Sequence, residues 1–140
     1  MLSLKFIVLL LVCARFGLCN VSIELPEITL LQPKGIRMAV KDPGPGTTTL
    51  VAFHYSINTR LAGVDPGDWN YDVRSKTGGL WVHENRLVDV QPGDTVYYWI
   101  YAVVNGLGWQ VTDKSYTIPN DVSTLLQRCR CVHNHTATEM

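Results

Sequence analysis

The stretch Thr95-Val96-Tyr97-Tyr98-Trp99-Ile100-Tyr101-Ala102-Val103-Val104 contains only β-branched, aromatic and small apolar residues. Such residues favour a β-strand, and a strand that is apolar on both faces belongs in the middle of a sheet. Asn105-Gly106 follows at once and favours a tight hairpin into a second strand at Trp109–Ile118. We therefore predict a central strand at residues 95–104 of an all-β domain.

The rest of the chain repeats this pattern of short strands, separated by turn signals at intervals of roughly ten residues. No long segment has the apolar period of a helix. Seven to eight mostly antiparallel strands in about 100 residues predict an immunoglobulin-like β-sandwich. The earlier predicted strands are Val21–Leu31 (an edge strand), Ile36–Val40, Thr47–Ile57, Trp69–Val73 and Leu80–Glu84.

Residues 1–19 read as a segment separate from the sandwich. Lys5 precedes the apolar run Phe6–Ala14, and small residues follow at Gly17 and Cys19. The run is too short to cross a bilayer core of about 30 Å, and the arrangement is typical of a secretory signal peptide. We expect cleavage after Cys19 and a secreted product without a membrane anchor.

The C-terminal residues 120–140 lack strand alternation, so we expect a flexible tail after a folded domain at residues 20–119. The sequon Asn134-His135-Thr136 predicts glycosylation of Asn134 in a secreted chain. Beyond the signal segment the only cysteines are Cys129 and Cys131. We expect them to be oxidised, within one chain or between two chains, rather than to bind a metal.

Charge and motifs exclude several functions. The chain has 12 Lys+Arg against 12 Asp+Glu, and loss of Lys5 and Arg15 with the signal leaves 10 against 12. This balance argues against nucleic-acid binding, which needs a strongly basic face. A spaced catalytic carboxylate pair, a nucleophile elbow and a zinc-binding helix motif are all missing from the sequence. We expect a non-catalytic protein without a cofactor.

The aromatic residues are the positive signal. Strand alternation places Tyr97, Trp99 and Tyr101 on one face of the predicted central strand. One interpretation is a row of rings that stack on the C–H faces of a sugar, beside polar groups that bind its hydroxyls. The other is that the rings form the core of the sandwich. For Tyr97 the core is favoured, because a Tyr after a Gly-Asp turn resembles a tyrosine corner.

Five motifs occur in order: Pro33-Lys34-Gly35-Ile36-Arg37, Ala52-Phe53-His54, Trp81, Gly93-Asp94-Thr95-Val96-Tyr97-Tyr98-Trp99 and Asn105-Gly106-Leu107-Gly108-Trp109. As an ordered set they resemble the N-terminal carbohydrate-binding module of the invertebrate β-1,3-glucan recognition proteins, the Gram-negative bacteria-binding or β-glucan-binding protein family. The resemblance runs from about Val21 to Ile118. It implies an immunoglobulin-like sandwich that binds assembled β-1,3-glucan chains of fungal cell walls in innate immunity. Full-length relatives carry a further glucanase-like domain. The residues outside 20–119 leave no room for one here, so we expect a stand-alone form.

The resemblance also implies ligand contacts. Carried over position by position, they fall on Asp68, Asp72, Trp99 and Gln110. Gln110 stands where the family usually has Arg. This implies weaker or altered glucan binding, because a guanidinium group that can form two parallel hydrogen bonds is lost. Tyr101 and Arg86 are additional candidates for the ligand face. Arg86 matches one of the two arginines that relatives carry after the Trp that corresponds to Trp81.

A second hypothesis is a secreted immunoglobulin-like protein-interaction module that has lost strong glucan binding. The replacement at Gln110 and the tail cysteines motivate it. Self-association or a disulfide-linked dimer would also serve glucan binding, because two weak modules gain avidity on a repeating polymer. An immune signalling protein is a further expected partner.

Overall fold

The computed structural model describes residues 21–120. Those residues form seven strands: β1 (Glu27–Leu30), β2 (Ile36–Lys41), β3 (Thr48–Ile57), β4 (Trp69–Val73), β5 (Leu80–Asn85), β6 (Thr95–Val104) and β7 (Leu107–Thr117). Within this part of the chain no helix is long and apolar enough to span a membrane. The predicted signal peptide and tail, with Asn134, Cys129 and Cys131, lie outside the described residues.

The strands form two antiparallel sheets that pack face to face. One sheet has three strands in the order β1-β2-β5, and the other has four in the order β4-β3-β6-β7. The predicted all-β sandwich is confirmed, as is the central position of β6 between β3 and β7. Asn105 and Gly106 both have positive φ, 53° and 74°, as a type I′ hairpin turn requires.

The first strand is shorter than predicted. We expected a strand over Val21–Leu31, but β1 starts only at Glu27. Pro26 directly precedes it and has no N–H to donate to a ladder. Val21 and Ile23 nevertheless pack against the core. The prediction of a long edge strand is therefore wrong, although its apolar residues do help to close the sandwich.

The core lies between the sheets and follows strict alternation along β6. Val96, Tyr98, Ile100, Ala102 and Val104 are all buried in it. The residues between them therefore point to the outer face of the four-stranded sheet. Tyr97 lies on that outer face and is only half-buried, so its assignment to the core is wrong; Tyr98 is the buried tyrosine instead.

A polar cluster joins the two sheets inside this core. The Tyr55 hydroxyl of β3 lies 3.1 Å from Nε2 of His83 on β5, and Asn85 Nδ2 donates to the same hydroxyl at 3.0 Å. Asn85 Oδ1 accepts the Leu87 N–H at 2.9 Å. Burial lowers the pKa of His83, so the imidazole is neutral at pH 7. The cluster pairs polar groups that would otherwise be costly to bury.

Candidate functional site

The outer face of the four-stranded sheet carries four side chains in one line across the strands. Asp72 on β4 pairs with Ala52 on β3, Ala52 with Tyr101 on β6, and Tyr101 with Gln110 on β7. We call these four residues the central row. They cross three gaps between strands, about 14 Å in all. Ala52 is small and buried, so the polar and aromatic groups of the row are those of Asp72, Tyr101 and Gln110.

The Tyr101 ring is held in place by a glycine on the neighbouring strand. A Cβ atom added at Gly108 would lie 2.4 Å from the Tyr101 hydroxyl oxygen and 2.8 Å from a ring carbon. The half-buried ring therefore lies directly over the Gly108 backbone, where a larger residue would displace it. This packing explains the second glycine of Asn105-Gly106-Leu107-Gly108-Trp109. It also places a rigid aromatic ring in the middle of the central row.

Arg74 is a charged neighbour of the central row that the sequence analysis did not identify. Its Nη2 lies 3.4 Å from Oδ2 of Asp72, and Arg74 directly follows the last residue of β4. Both side chains are exposed, so solvent screens the pair and it adds little to stability. The pair nevertheless gives the outer face a guanidinium group, at the end opposite Gln110. The sequence signal that could have identified Arg74 was its position two residues after Asp72, because residues two apart on an extended chain point to the same side.

Trp99 lies in the next row and is mostly covered. Its ring stacks on His54 with a centroid distance of 3.7 Å and an interplanar angle of 7°. Its indole Nε1–H donates to the Asp65 carbonyl at 2.8 Å, and the residue is only 9% exposed. The Nδ1 atom of His54 in turn lies 2.6 Å from Asn70 Oδ1. Trp99 therefore presents neither a free ring face nor a free N–H to solvent.

The loop at residues 58–68 covers Trp99 and is tied to β7. Opposite Trp99, β7 has one extra residue relative to β6, and Asp113 in this bulge has a φ of 55°. The bulge directs Asp113 Oδ1 to the Gly63 N–H, which donates to it at 3.0 Å. This hydrogen bond lowers the pKa of the Asp113 carboxyl. The loop thus borders the central row without covering it.

The other predicted ligand residues are distributed unevenly. The structure brings Asp72, Tyr101 and Gln110 together, with Trp99 beside them. Asp68 lies at the border, four residues before Asp72 and about 13 Å away along the strand direction; its N–H donates to Ser56 Oγ at 2.9 Å. Arg86 follows β5 in the other sheet and donates to the Gln32 carbonyl at 3.1 Å. Arg86 is therefore not on the outer face.

The chemistry of the outer face suits a neutral, hydroxyl-rich ligand. An aromatic ring can pack on C–H bonds. The carboxylate of Asp72 accepts hydrogen bonds, the guanidinium of Arg74 donates them, and the Gln110 amide does both. Within residues 21–120, no group of three or more His, Cys, Asp or Glu side chains could hold a metal ion. Fold and face together match what is expected of a β-sandwich domain that binds polyhydroxylated ligands on an open sheet.

Comparison with known proteins agrees with this class. The family model CBM39, described as "Carbohydrate binding domain (family 32)", matches residues 20–138. The chain therefore belongs to the CBM39 family of carbohydrate-binding domains, and the resemblance found in its motifs is confirmed.

Relatives of known name share about 30% of their residues with the chain. Gram-negative bacteria-binding protein 3 of Drosophila melanogaster is 32% identical over 102 residues, which are 73% of this chain and 20% of the relative. Beta-1,3-glucan-binding protein 1 of Galleria mellonella is 31% identical over 114 residues, 80% of this chain and 22% of the relative. Its Manduca sexta counterpart is 31% identical over 103 residues, 72% of this chain and 20% of the relative. The chain thus spans about a fifth of the length of these relatives.

Proposed function

We propose that this protein is a secreted, non-catalytic recognition module that binds the β-1,3-glucan of fungal cell walls in innate immunity. The observation that supports this most directly is the central row, an open line of ring and polar groups on a CBM39 sandwich. The names of the relatives, β-1,3-glucan-binding and Gram-negative bacteria-binding proteins, supply the ligand class. Secretion rests on the signal pattern of residues 1–19.

The shape of the face favours a polymer over a single sugar. The central row lies on the outer face of the sheet, which no other strand among residues 21–120 covers. A chain can therefore cross it and continue beyond β4 and β7. In this proposal the Tyr101 ring packs against one sugar unit while Asp72 and Gln110 bind hydroxyl groups on either side of it. Trp99 acts mainly by holding residues 58–68 beside the row, rather than as an open stacking ring.

The test is sedimentation of the purified protein with insoluble β-1,3-glucan (curdlan). We expect the wild type to pellet with the glucan, and Tyr101→Ala to weaken binding about tenfold, since aromatic contacts contribute roughly 1 kcal/mol or more. Tyr116→Ala is a control for loss of a tyrosine ring, because Tyr116 is 37% exposed but lies on the opposite side of β7. Wild-type protein that stays in the supernatant contradicts the proposal.

A specific observation also supports the second hypothesis, a protein-interaction module. Leu107, Trp109 and Tyr116 are 62%, 39% and 37% exposed on the side of β7 that faces away from the central row. Exposed apolar groups on one strand are typical of protein contact surfaces. If this function replaces glucan binding, Trp109→Ala abolishes self-association in analytical ultracentrifugation while curdlan is never bound. A disulfide-linked dimer through Cys129 or Cys131 is checked by non-reducing electrophoresis.

A further inference from the structure

A cleft separate from the outer face lies at one end of the sandwich. It has a volume of about 280 Å³ and is lined by residues 30–34, from the β1–β2 connection, and residues 89–92, from the segment between β5 and β6. We call it the end cleft. It is associated with the three-stranded sheet, whereas the central row lies on the other sheet. A ligand in one therefore leaves the other free.

Two contacts hold one wall of the end cleft, residues 30–34, against the end of β5. Gly35 has a φ of 117°, and a Cβ atom there would lie 2.5 Å from the Asn85 carbonyl oxygen. Only glycine allows so close an approach of the β1–β2 connection to the end of β5. Arg86 Nη1 donates to the Gln32 carbonyl of the same wall at 3.1 Å. Pro33 and Lys34 thus line the cleft, while Gly35 and Arg86 support it from outside.

The polar groups of the end cleft are free to bind a ligand. Lys34 and Asp89 are exposed and belong to opposite walls. Among the described residues neither side chain has an ion pair or hydrogen-bond partner. The ammonium group can only donate hydrogen bonds and the carboxylate can only accept them. The rings of Pro33 and Pro92 add apolar surface between them.

These features select a neutral ligand with many hydroxyl groups. Lys34 and Asp89 carry opposite charges, so their effects on a charged ligand largely cancel and neither an anion nor a cation is favoured. A sugar hydroxyl, in contrast, can donate to the carboxylate and accept from the ammonium. The volume lies at the lower end of the range for small-molecule pockets, about 300 Å³ upward. The space is therefore too small for a multi-stranded glucan but suits one or two sugar units.

We propose that the end cleft binds the terminal one or two units of a β-1,3-glucan chain. This inference rests on the proposed function, and it adds a second subsite of a different kind. The central row binds along the length of a polymer, while the end cleft binds a chain end. A protein with both can hold two chains, or two parts of one chain, and gains affinity from the linkage.

The experiment uses the ¹⁵N-labelled protein and the β-1,3-linked glucose disaccharide laminaribiose. In a titration followed by NMR, we expect saturable shifts of the backbone amides of residues 31, 32, 34 and 89–91. Lys34→Met and Asp89→Asn each raise the Kd about tenfold, because a hydrogen bond to a charged group is lost. Lys114→Met, which removes a lysine of β7, leaves the Kd unchanged.

The outcomes separate this inference from the proposed function. If the wild type pellets with curdlan but laminaribiose causes no shifts at the end cleft, the inference is overturned and the proposed function stands. The inference is also overturned if the zwitterion glycylglycine shifts these amides and laminaribiose does not. If the protein binds neither curdlan nor laminaribiose, the proposed function itself fails.

Discussion

At the scale of single residues, two aromatic side chains on neighbouring rows have different roles. Trp99 is covered by His54 and hydrogen-bonded to Asp65, whereas the Tyr101 ring lies over a glycine and remains half-exposed. The resemblance implied that the tryptophan contacts the ligand. Under the proposed function, Trp99 positions the loop at residues 58–68 and Tyr101 provides the ring for the ligand.

Replacement of Trp99 by Phe tests this division. The variant keeps an aromatic ring beside His54 but loses the Nε1–H donor to Asp65. We expect the free energy of unfolding to fall by about 1–2 kcal/mol from the lost bond and contacts, while binding to curdlan falls less than in Tyr101→Ala. Urea unfolding and curdlan sedimentation measure the two effects. A larger binding loss than that of Tyr101→Ala would show that Trp99 contacts the glucan directly.

Gln110 allows a gain-of-function test at the β7 end of the central row. Gln110→Arg adds the guanidinium that the resemblance implies there, with donors arranged for two hydroxyl oxygens. We expect curdlan affinity to rise roughly threefold to tenfold, equivalent to about one added hydrogen bond. Ser115→Arg adds the same charge on the same face of β7, beyond the bulge. Equal gains in both variants would indicate a non-specific charge effect.

At the scale of elements, the bulge of β7 is the feature that links the sheet to the loop beside the site. A bulge bends a strand and redirects a side chain. Here it turns the Asp113 carboxylate toward Gly63, 50 residues away in the chain. One irregular residue thus restrains a loop of eleven residues at 58–68.

Two substitutions of Asp113 test the bulge, because one retains both the hydrogen bond and the backbone shape and the other removes both. Asn tolerates the left-handed φ of 55° and keeps an acceptor oxygen, whereas Ala has neither property. We expect Asp113→Ala to lose about 1–2 kcal/mol of stability and to remove the hydrogen-exchange protection of the Gly63 amide. Asp113→Asn should retain most of both. Equal exchange rates in the two variants would refute this role of the bulge.

The sequence predicted the elements well, because strand alternation and turn residues are local signals. It also grouped Tyr97, Trp99 and Tyr101 on one face. It could not decide whether that face was core or surface, because β6 carries large apolar residues on both sides and the second sheet alone determines which side is covered. The covering of Trp99 was equally inaccessible, since it depends on a bond to Asp65, 34 residues away in the chain.

At the scale of the whole molecule, the two sheets are joined by apolar packing and by the cluster of Tyr55, His83 and Asn85. No cysteine lies between residues 21 and 120, so this domain has no disulfide to replace that packing. Neutral His83 is part of the junction, with Tyr71 stacked at 4.2 Å and Glu84 next to it in sequence. The stability of the sandwich is therefore coupled to pH.

The expected pH dependence follows from the lowered pKa of His83. Above the ordinary value of 6.5 the imidazole is neutral in both folded and unfolded chains, so its contribution is constant. Below it, the unfolded chain binds a proton that the folded chain resists, so stability is lower at pH 5 than at pH 7. Chemical denaturation at pH 7 and pH 5 measures this loss. In the His83→Gln variant, residue 83 is neutral at both pH 7 and pH 5, so the difference in stability between the two pH values should be much smaller. If that difference is the same as in the wild type, the pH dependence comes from another group.

The extra residue in β7 also divides that strand into two segments, in which opposite parities of residue number face outward. Before it, even-numbered positions such as Gly108 and Gln110 face outward; after it, odd-numbered positions such as Ser115 and Thr117 do. A combinatorial library designed to change the specificity of this sheet must therefore switch parity midway along the strand. A design that keeps one parity throughout would randomise the inward-facing Tyr116 and leave half of the intended binding surface unaltered.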